Sequence, residues 1–89
     1  VTDATDRRTE LLRVVDAAQR SAGVLAARER GDRDGAGTLL ASFEDHELLA
    51  SGSLLLAELA VHQSAAATGR TPQECLHELC LDMEGALRG

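Results

Sequence analysis

The chain has 89 residues, a formal net charge of −6 and a single aromatic residue, Phe43. So little aromatic and β-branched content leaves Leu, Ala and Val to build the core, which argues against an all-β fold. An acidic chain repels phosphate backbones, so nucleic-acid binding is not expected.

The charge is unevenly spread. Residues 1–35 carry seven acids and seven arginines, whereas residues 36–89 carry eight acids and two arginines and hold the whole net charge of −6. That acidic portion suits a basic protein partner. Lysine is absent. Beside abundant Ala, Arg, Gly and Leu, this reads as the coding bias of a GC-rich bacterial genome, not as a functional feature.

One helical domain over residues 1–89 is expected, with residues 1–4 frayed. The fold class is all-α: a small bundle of four helices at about 6–30, 35–43, 45–68 and 72–87. Thr5 or Asp6 is placed to cap the first helix. Leu11, Val14, Val15, Ala18, Ala22 and Leu25 recur at spacings of three and four and predict its buried seam. Gly23 within it is a candidate point of close approach by another helix. Gly31 is positioned to end the helix in a left-handed conformation, and Asp32 or Asp34 to cap the next. The short second helix carries one stripe, Ala36, Leu39, Leu40 and Phe43.

Ser42 and Asp45 have the spacing of a capping box before the third helix. This helix, 45–68, is the expected hub. Leu48, Gly52, Leu55, Leu59, His62 and Ala66 form one seam, while Leu54, Val61 and Ala65 lie on a flank. The run Leu54-Leu55-Leu56 alone sweeps about 200° of circumference. A helix apolar over that much of its surface needs several neighbours, which the first and last helices, or a second copy of the chain, would supply. Gly69 is the natural terminator. Thr71-Pro72-Gln73-Glu74 then predicts a capping box with proline at the first helical position. The last helix shows a clean apolar face of Leu76, Leu79, Cys80, Met83 and Leu87.

The N-terminal residues lack the apolar core of a signal peptide, and the third helix is interrupted by Glu58, His62 and Gln63, so no membrane span is expected. Cys75 and Cys80 stand five apart on one helix, which turns their side chains about 140° from each other. An intrahelical disulfide is therefore implausible, and the expected compartment is the reducing cytoplasm.

Candidate chemistry is sparse. His62, His77 and Cys80 are the weak candidates for metal ligation, because imidazole and thiolate suit zinc. Cys80 also belongs to an apolar stripe, where a thiol behaves as a small hydrophobe. Glu58 and His62, four apart, would supply at most half of a bundle metal site. The serines look helical or capping and are not set on a nucleophile elbow. The run Gly31–Gly37 lacks the Gly-Lys-Ser/Thr ending of a phosphate loop. No catalysis and no cofactor are therefore expected.

What remains is association. Leu48, Gly52, Leu55, Leu59 and His62 are the expected interface residues, with Ser51-Gly52-Ser53 as a small-residue notch. A non-catalytic protein–protein interaction module, self-associating as a homodimer, is the favoured reading. The alternative is a small-ligand or metal-binding bundle that uses the region between the central and last helices, with His62, Cys80 and Met83 near it.

Overall fold

The computed structural model describes residues 2–88 and is all-α. Four helices follow in order: α1 (Thr2–Glu29), α2 (Arg33–Ala41), α3 (His46–Thr68) and α4 (Pro72–Arg88), with no strand among the described residues. They form two compact units, one running to Leu56 and one from Ala57.

The first unit holds α1, α2 and the opening turns of α3. α1 starts at Thr2, earlier than expected. Nothing in Thr2–Ala4 breaks a helix, and Asp3 sits favourably at the positive end of the helix dipole. Of the residues expected to fray, these three form the first turn, and Val1 lies outside the described residues. Thr5 and Asp6 are accordingly inside the helix, where the Thr5 carbonyl accepts from Thr9 Oγ1 at 3.0 Å.

α1 ends as its sequence predicts. Gly31 has φ +77°, the Asp32 N–H donates to the Ala27 carbonyl at 2.9 Å and the Gly31 N–H to Arg28 at 3.0 Å. These paired bonds satisfy carbonyls that the helix end would leave open. Asp32 is also the cap of α2, with its carboxylate accepting from the Gly35 N–H at 2.8 Å. That cap starts α2 at Arg33, two residues before the expected position.

The expected Ser42–Asp45 box does not form. Ser42 instead closes α2, its hydroxyl donating to the Leu39 carbonyl. Asp45 caps α3 by accepting from the Glu47 N–H at 2.8 Å. Two polar residues three apart serve two helix ends here, because α2 stops where α3 was expected to be capped.

The core of this unit is made of small side chains. Ala17, Ala18, Ser21, Ala27 and Ala36 are buried, with Phe43 as its one large buried member. The α1 seam therefore differs in part from its expected line: Ala18 is buried and Val14 and Ala22 are half-buried, but Leu11, Val15 and Leu25 are exposed, and Ala17 and Ser21 are covered in their place. Close approach explains this. A Cβ added at Gly52 of α3 would lie 2.7 Å from the backbone carbon of Ala17, from its Cβ and from the Ala18 nitrogen. Only small residues allow two helices so near each other. Ser21 Oγ and Ser53 Oγ share a hydrogen bond of 3.3 Å beside that contact. Gly23 does not have this role, since a Cβ there would meet Leu39 at an ordinary 3.6 Å.

Arg20 closes the other end of this core. Its guanidinium carbon lies 4.2 Å from the Phe43 ring centre, and Nη2 donates to the Ser42 carbonyl at 2.8 Å and to its Oγ at 2.9 Å. The lone aromatic side chain is thus held by a cation on its face.

In the second unit, the rest of α3 turns back through Gly69 into α4. Gly69 has φ +70°, and the Arg70 N–H donates to the Ala65 carbonyl at 3.1 Å. The expected capping box at Thr71 is present in both directions. The Thr71 N–H donates to Glu74 Oε1 at 3.0 Å, and the Glu74 N–H donates to Thr71 Oγ1 at 3.1 Å. Val61, Ala65 and Cys75 form the buried cluster.

The capping box sets a pH dependence. Hydrogen bonds from Thr71, backbone first and hydroxyl second, hold the Glu74 carboxyl below its ordinary value of 4.5. A carboxyl lowered on folding stabilises the folded state fully above its unfolded pKa, and that contribution is lost as pH falls through the folded value. The melting-temperature difference between wild type and Glu74→Gln should therefore be constant near neutrality. It should shrink once the pH drops below about 4.5. Circular dichroism melts across pH test this, and a difference that grows on acidification would contradict it.

Candidate functional site

Two features of the second unit are open to a partner or ligand. The first is a groove of about 470 Å³ between its α3 residues and α4. Val61 and Cys75 belong both to its lining and to the buried cluster, and Ser64 and Thr68 contribute from α3. The Thr68 hydroxyl is already committed, donating to the Ser64 carbonyl at 2.8 Å. Arg70, Glu78 and Asp82 supply the groove's charge. The Arg70 guanidinium is ion-paired with Glu78, whose hydrogen bond and charge raise its pKa further. Arg70 Nη2 also reaches the Glu74 carbonyl at 3.4 Å.

Cys75 is only 6% exposed and carries a free thiol. Set between Val61 and Ala65, it fills space as a small hydrophobe does. His62, Cys80 and Met83, expected beside a pocket here, are not part of the lining and are exposed. Among the described residues, no three His, Cys, Asp or Glu side chains gather closely enough to hold a metal ion, and His62, His77 and Cys80 form no such group. Glu74 and His77 stand at i, i+3, a spacing that bundle metal sites use. The Glu74 carboxylate, however, is turned back onto the Thr71 N–H.

The second feature is apolar surface. Packing uses the Cys75 edge of α4, not its stripe. Leu76 is 50% exposed, Met83 62% and Leu87 91%, and Cys80 is exposed beside them. On α3, Leu59 is also more than half in water. The five expected interface residues separate along the helix. Gly52 is buried against α1, and Leu48 and Leu55 are half-buried, while Leu59 and His62 are exposed. The seam breaks because each half of α3 buries its own set of residues. The first half buries Gly52, and the second buries Val61 and Ala65 from the expected flank. The notch at Ser51–Ser53 does receive another backbone, and that backbone belongs to α1 of the same chain.

Sequence reasoning missed the Arg20–Phe43–Ser42 cluster. The signals for it were present: one aromatic residue, at the end of a short helix, in an arginine-rich chain. Among the described residues, no helix is long and apolar enough to cross a membrane. Comparison with protein-family models, with curated proteins and with solved structures finds no match to this chain.

Proposed function

We propose that the chain is a non-catalytic helical module for protein–protein association, and that it self-associates through apolar helix faces, most simply as a homodimer. One observation carries this reading: the distribution of side chains by size is inverted. Five alanines lie in the core, no large side chain is fully buried, and thirteen large apolar side chains among the described residues are exposed. Scattered exposed leucines are normal, but a set this large marks an association surface. Each Leu or Met buried completely by a partner is worth about 1.5–3 kcal/mol. Several together offset the roughly 4–15 kcal/mol of motional freedom lost on association.

A symmetric dimer is the simplest closed form, since one self-complementary patch satisfies both copies. Leu59 and His62 remain accessible to a second chain, whereas Gly52 does not. The net charge of −6, all of it on residues 36–89, also suits a basic protein as a further partner.

Self-association makes stability depend on concentration. The melting temperature should rise steadily over a hundredfold increase in protein concentration. A melting temperature independent of concentration would contradict the reading. A second reading, an apolar small molecule held in the groove beside Cys75, draws on a volume within the range of ligand sites. It predicts a melting temperature that rises with added ligand at fixed protein concentration.

A further inference from the structure

We draw no further inference here: the strongest candidate, the groove of the second unit lined by Val61, Cys75, Leu79 and Asp82, belongs to the site already described, and nothing in the structure shows what fills it.

Discussion

Phe43→Ala is expected to cost about 3–5 kcal/mol, the range for removing a buried aromatic ring. The ring is buried, and Arg20 lies 4.2 Å over its face. Every other buried side chain of this unit is alanine or serine. Loss of the cation–π contact adds about 0.5–1 kcal/mol. Whole domains are stable by only about 0.05–0.15 kcal/mol per residue. The substitution therefore removes most of the margin of a unit that ends at Leu56. Urea titration followed by circular dichroism should show a large fall in the midpoint and in helical signal at low urea. Arg20→Ala should give a smaller fall, since the ring stays. An unchanged midpoint in Phe43→Ala would mean that the ring is not the anchor of this core.

Gly52→Ala and Gly85→Ala are expected to change stability in opposite directions. Both glycines lie within helices, where alanine is intrinsically better by about 1 kcal/mol. A Cβ at Gly85 would meet nothing within 4 Å, so the gain should be realised in full. At Gly52 the same carbon would lie 2.7 Å from backbone atoms of Ala17 and Ala18, which cannot rotate away as a side chain tip can. Overpacking of this kind costs about 1–3 kcal/mol. It would also pull apart the Ser21–Ser53 hydrogen bond. The α1–α3 packing must open to admit the methyl group, so Gly52→Ala should melt below wild type and Gly85→Ala above it. Stabilisation by both would show that α1 does not approach α3 at this glycine.

These contrasts separate what was legible in the sequence from what was not. Local signals translated directly. Gly31 and Gly69 take positive φ, Asp32 caps α2, and Thr71 and Glu74 bond reciprocally, because each depends on neighbours a few residues away. Ser42 and Asp45 show the limit of such signals. The spacing of a capping box was there, but α2 used Ser42 first. Burial was harder to read. The leucines of α1 and α4 follow a helical period, so they look like core, yet the helices meet through Ala17, Ala18, Gly52 and Cys75. Periodicity reports which residues share a face. It does not report whether that face meets the same chain or another one. Close contact favours small residues, and it leaves the leucine stripes of α1 and α4 exposed.

The most direct test is native mass spectrometry of the untagged chain, purified without chelator, across a range of concentrations. The account predicts a dimer with no added mass, losing population only at the lowest concentrations. A monomer at every concentration, carrying a reproducible extra mass, would contradict it and turn attention to the groove beside Cys75.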